Sequence, residues 1–124
     1  MQVRILLKNI DDEKATKQLI DRKLLFALER ISSRVREVIV HLEDESPSSG
    51  AFDGLCRIDV DVQPVGNVHV AARAETVFDT VLAATRKLEK ALKHEFDRER
   101  RSSRIRHEKS KRQFVESLIE DDNA

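Results

Sequence analysis

A chain of 124 residues with 40% hydrophobic and 37% charged residues suits one soluble domain with a modest core and a heavily charged surface. Five Phe and no Trp or Tyr argue against binding of single-stranded bases by stacking, which needs exposed aromatic platforms. The formal net charge is zero and no apolar run approaches a membrane span of roughly 18 residues, so partners must be inferred from where the charges lie.

The start, MQVRILLKNIDDEK, has too short an apolar run and too many early acids for a signal peptide. One cysteine, Cys56, can form no internal disulfide and no metal cluster, so the cytoplasm is the expected compartment. Residues 2–7 place Val3, Ile5 and Leu7 on one side at period two, a strand. Residues 13–31 predict a helix, capped by Asp11 or Asp12, because a short carboxylate accepts from the free N–H groups of a first turn. Its buried stripe is Ile20, Leu24, Ala27, Leu28 and Ile31, and Ser32-Ser33 ends it. Residues 36–43 alternate again, with Val38, Val40 and Leu42 on one face.

EDESPSSGAFDG is loop by composition. LCRIDVDVQ, 55–63, turns Cys56, Ile58, Val60 and Val62 inward. Pro64 and Gly66-Asn67 then lead into a strand at 68–74 with Val68, Val70, Ala72 and Ala74 inward. Glu75 or Thr76 opens a long helix that runs to about residue 101 or beyond. The order β-α-β-β-β-α is an α+β fold: a four-stranded sheet with two amphipathic helices packed on one face. The open face carries Arg4, His41, Arg57, Asp59, Asp61, His69 and Arg73.

The second helix carries the functional argument. At about 100° per residue, Phe78, Val81, Thr85, Leu88, Leu92 and Phe96 share one stripe, while Arg86, Lys87, Lys90, Lys93, His94, Arg98 and Arg101 fall on the opposite half. Residues 86–112 hold twelve Lys and Arg against five acids. Residues 1–85 hold eleven against fourteen, and 113–124 hold none against four. A merely solvated helix mixes signs by i,i+4 pairing. A one-signed stripe repels itself and suits a polyanion such as a nucleic-acid backbone. A membrane surface would want exposed Trp, Phe or Leu beside the cations; those apolar residues are needed for the core, so no membrane partner is expected. The first helix adds Arg22, Lys23 and Arg30. Leu25 and Phe26 lie off its apolar stripe, either partly buried against the second helix or the sheet edge or exposed as an apolar contact for a partner.

The helix-to-strand join RKLLFALERI…VIVHLED, then CRIDVDV with its Gly turn, then VHVAARAETVFDTVLAATRKLEKALK resemble the ribosome hibernation-promoting factor family. That family includes the ribosome-associated inhibitor and was formerly called sigma-54 modulation protein. The resemblance covers residues 1 to about 101. It implies a fold similar to the double-stranded-RNA-binding domain. It also implies binding to small-subunit ribosomal RNA in the decoding channel, across the sites of tRNA and mRNA, so that translation stops in stress or stationary phase. Arg22 and Lys23, then Arg86, Lys87, Lys90 and Lys93, match the family's RNA-contacting positions.

Two positions depart from the family pattern: Phe78 stands where a Tyr is common, and Arg86 where an acid is common, so the Arg86 contact is inferred from its charge and not from identity. The sequence ends after a short tail, as expected of a short form without the long forms' dimer-forming second domain, monomeric off the ribosome. The expected division is a 1–101 RNA-binding domain and a charged 102–124 tail, in which Phe114, Val115, Leu118 and Ile119 are spaced like a short docking turn.

Enzyme chemistry finds little support. Cys56 alternates with core residues. His41, His69, Asp59 and Asp61 share an open sheet face that offers no shelter. His94 adds a donor to the basic face. No phosphate-cradling or nucleophile motif is present. No catalytic residue, metal, cofactor or small-molecule substrate is therefore expected. The competing class is a protein-interaction regulator whose basic helix or tail docks an acidic surface without binding ribosomes.

Overall fold

The computed structural model describes the backbone of residues 1–122 and the side chains of residues 1–104. The order is β1 (Gln2–Lys8), α1 (Glu13–Leu28), a 3₁₀ segment (Glu29–Arg34), β2 (Val35–Asp44), a 3₁₀ turn (Pro47–Ser49), β3 (Gly54–Val62), β4 (Gly66–Ala74) and α2 (Val77–Asp122). The strands lie in the order β1-β2-β3-β4. β1 pairs with β2 in parallel, as the intervening helix requires, and the other two pairings are antiparallel. Both helices contribute to one core with the covered face of this mixed sheet.

The period-two pattern is realised in register. Val3, Ile5 and Leu7 stand beside Val38, Val40 and Leu42, which in turn face Val60, Ile58 and Cys56. Ile20, Leu24 and Leu28 of α1 and Val81, Ala84, Leu88 and Leu92 of α2 close over that face, each buried. Asp12, the second of the two candidate caps, accepts from the backbone N–H of Ala15 at 3.1 Å.

Two expectations are corrected, on the end of the first helix and on Phe78, and two residues on the covered side are less buried than their neighbours. The first helix stops at Leu28, and its last residues tighten into the 3₁₀ segment. There Ser32 donates its hydroxyl to Glu29 O at 3.3 Å, and the shorter repeat turns the chain so that Val35 enters the core. Val3 shares the covered side but is 36% exposed, at the start of the edge strand β1. Ala74, at the far end of β4, is only half-buried. Phe78 is 50% exposed. Thr80 takes the buried place in the first turns of α2, donating to Thr76 O at 2.6 Å. A threonine fits there because that helical carbonyl satisfies its hydroxyl.

Gly54 marks how closely α2 approaches the sheet. A Cβ at this position would collide with Thr80 Oγ1 and lie 2.5 Å from Phe52 Cε1. Gly54→Ala is expected to cost about 1–3 kcal/mol by overpacking, measurable by urea denaturation. α2 shows no break at residue 101, and 101–104 are exposed. The side chains of Phe114, Val115, Leu118 and Ile119, and with them the docking turn, lie outside the described residues.

Candidate nucleic-acid interface

α1 and α2 run side by side in the same direction. Lys23 of α1 lies over the Phe78 ring at the start of α2 (5.4 Å), and Arg34, after α1, over Phe96 further along (5.7 Å). The apolar stripe of α2 is spent on the sheet, so its other half is forced outward. Arg86, Lys87, Lys90, Lys93, His94, Arg98 and Arg101 are all exposed, as are Arg22 and Arg30 beside them on the α1 side.

The structure sorts these cations into two sets. Lys87 reaches sideways to the free edge of β4, where its ammonium donates to Ala71 O at 2.9 Å. Arg98 pairs with Glu95 at 3.6 Å, and half-buried Lys23 is held over Phe78. Arg22, Arg30, Arg86, Lys90, Lys93 and Arg101, and the imidazole of His94, have no side-chain partner among the described residues. Exposed ion pairs contribute little to stability, but they occupy a cation that a phosphate would otherwise take. The unpaired Arg and Lys side chains are thus the available charge, those of α2 being spread over about four turns of the helix.

Between the end of α1, the 3₁₀ segment and α2 lies an open groove of about 1120 Å³. Its walls are apolar at Phe26, Ala27, Ile31, Leu92 and Phe96, and cationic at Arg30, Arg34, Lys93 and Arg100, the last paired with Asp97 at 2.8 Å. Arg34 and Arg100 were not among the sequence candidates. Arg34 sits in the helix-to-strand join, and only the packing of Phe96 shows that it faces the groove. Leu25 is 59% and Phe26 76% exposed, which favours the exposed alternative for both.

Asp59 and His69 are register partners, with Asp59 Oδ1 2.5 Å from His69 Nδ1 on exposed surface. His41 stands across from Arg57, and Arg73 pairs with Glu45. Among the described residues no three His, Cys, Asp or Glu side chains converge on a metal-sized site. Nor is any helix there long and apolar enough to cross a membrane.

Cys56 is fully buried in the core, and burial pushes its thiol pKa up to about 12. At neutral pH it stays protonated and inert. Iodoacetamide at pH 8 is expected to label Cys56 only after unfolding, which mass spectrometry with and without urea would show.

A family model described as Sigma 54 modulation protein / S30EA ribosomal protein matches residues 3–100. No curated protein matches the chain. Among solved structures, the chain is similar to the Thermus thermophilus Protein Y N-terminal domain, with a TM-score of 0.62 and 22% identity over 76% of this chain and 98% of that one. It is also similar to a ribosomal subunit interface protein from Coxiella burnetii, with a TM-score of 0.59 and 17% identity over 76% and 97%. At such identities these likenesses are of fold.

Proposed function

Because the chain belongs to the Sigma 54 modulation protein / S30EA ribosomal protein family, we propose that it is a ribosome-associated translation inhibitor. It binds small-subunit ribosomal RNA at the decoding channel through the outer faces of α1 and α2. The carrying observation is the unpaired set Arg86, Lys90, Lys93 and Arg101 on one straight helix face, joined by Arg22 on α1. Cations at fixed spacing on a rigid rod hold phosphates without reading sequence, which suits recognition of a folded RNA by shape. The fold shared with a protein named for the ribosomal subunit interface supports the same reading.

The mechanism is steric. A domain seated in the channel and the tRNA and mRNA that use it cannot occupy the same volume, so inhibition needs no chemistry. Residues 1–101 form the RNA-binding unit and 102–124 a tail outside it. Lys23, Lys87 and Arg98 carry less of the affinity than the unpaired set, because each must give up an intramolecular contact to reach a phosphate.

Cosedimentation with purified 30S, 50S and 70S particles tests this. The protein should pellet with 30S and 70S, weaken steeply as salt rises, and inhibit a reconstituted translation system at stoichiometric amounts. Binding that persists unchanged in high salt, or that appears only on 50S, would overturn it.

A further inference from the structure

The phosphate-facing surface leaves Phe26 unexplained. Among the described residues it is the most exposed large hydrophobic one, with 76% of its surface in water on a well-formed helix. Leu25 beside it is also exposed. A lone exposed apolar residue is ordinary, but this ring stands between cations. Arg22 lies one helical turn before it, exposed and without a partner among the described residues. Arg30 lies after it on the wall of the same groove. Behind the ring the groove offers Ala27, Leu92 and Phe96 as apolar surface and Lys93 on the far wall. Its volume of about 1120 Å³ exceeds what one nucleotide needs.

Resting on the RNA-binding reading above, we propose that Phe26 is a base-contacting wedge. Its ring stacks on an unpaired nucleobase of the bound RNA, with Arg22 and Arg30 on the phosphates to either side of that nucleotide. An apolar face flanked by cations fits a nucleotide, which is itself a flat π-surface joined to an anion. A protein partner would call for a broader apolar patch with the charges kept to its rim. Here only Leu25 and Phe26 are exposed, the groove's Ala27, Ile31 and Phe96 being half-buried and Leu92 buried, and cations stand among these residues rather than around them. Glu29 and Glu89 on the groove walls are acceptors for the exocyclic amino groups of a base. The scarcity of aromatic residues therefore does not exclude stacking, since one exposed ring suffices for one base.

Phe26→Ala, Phe26→Leu and Phe26→Tyr test this beside Lys90→Glu, by 30S affinity across a salt series. Both positions are exposed, and unchanged thermal unfolding checks that the fold is kept. Phe26→Ala should weaken binding roughly five- to a hundredfold without altering the slope of log affinity against log salt. Phe26→Tyr should bind like wild type and Phe26→Leu like Phe26→Ala. Lys90→Glu should lower the slope by about one unit or somewhat less.

Wild-type binding by Phe26→Ala, with Lys90→Glu impaired, would overturn the wedge and leave the RNA-binding reading standing. Full binding by Phe26→Leu would mean a generic apolar contact and would also overturn it. An intact Lys90→Glu beside an impaired Phe26→Ala would overturn both. A photo-crosslinking phenylalanine analogue at position 26 supplies the direct readout. Crosslinks to ribosomal RNA support the wedge, and crosslinks to ribosomal protein alone refute it.

Discussion

The triple variant Arg86→Glu/Lys90→Glu/Lys93→Glu is expected to fold like wild type and to lose roughly a hundredfold or more of its 30S affinity at moderate salt. All three side chains are exposed and none is engaged within the described protein, so the substitutions leave the core untouched. Each reversal removes one favourable phosphate contact and adds a repelling charge, and the three lie within about two turns of one helix. The salt dependence should flatten with the affinity, because fewer counterions are released. Lys87 is deliberately left in place: its bond to Ala71 O ties α2 to the sheet edge, and changing it would confuse stability with binding. Circular dichroism and thermal unfolding establish the fold, and filter binding with a translation assay measures the loss. Wild-type inhibition by a folded triple variant would leave the basic stripe as an ordinary solvated face.

Leu88→Ala is expected to destabilise the domain by about 2–5 kcal/mol, the usual cost of a large cavity in a packed core. Leu88 is fully buried in the core that joins α2 to the sheet. With marginal total stability, such a loss should lower the melting temperature by about 10 °C or more. Phe78→Ala is the control. The sequence pattern places Phe78 on the same stripe, but with half its surface in water its truncation should cost about 1 kcal/mol or less. Equal losses for the two variants would mean that α2 is rotated from the phase described here.

Much of the fold is legible in the chain because its signals are local. Val38, Val40 and Leu42, or Cys56, Ile58 and Val60, declare a face by alternation alone. Leu88 and Leu92 declare theirs by helical spacing, and the cations opposite them must then point to solvent wherever the helix docks. The candidate site was legible to the same depth. Every cation predicted on the outer half of α2 is exposed. The groove was not legible, since Phe26, Arg34 and Phe96 come together only when α1 and its 3₁₀ continuation pack along α2.

By itself the sequence determined the order of elements, the buried side of each, and the side on which positive charge gathers. These follow from backbone periodicity and the removal of apolar surface from water, and both act within a few residues. The tertiary structure alone decided which of those cations are free. Lys87 is taken by a β4 carbonyl sixteen residues away in sequence, and Lys23 by a ring on the other helix. It also decided that Phe78, periodic with the core, lies beyond its cover, while Phe26 stands free beside a groove. Partnership and exposure depend on which element lies alongside. That is settled by long-range packing, where a residue's own spacing along the chain carries no information about its neighbour.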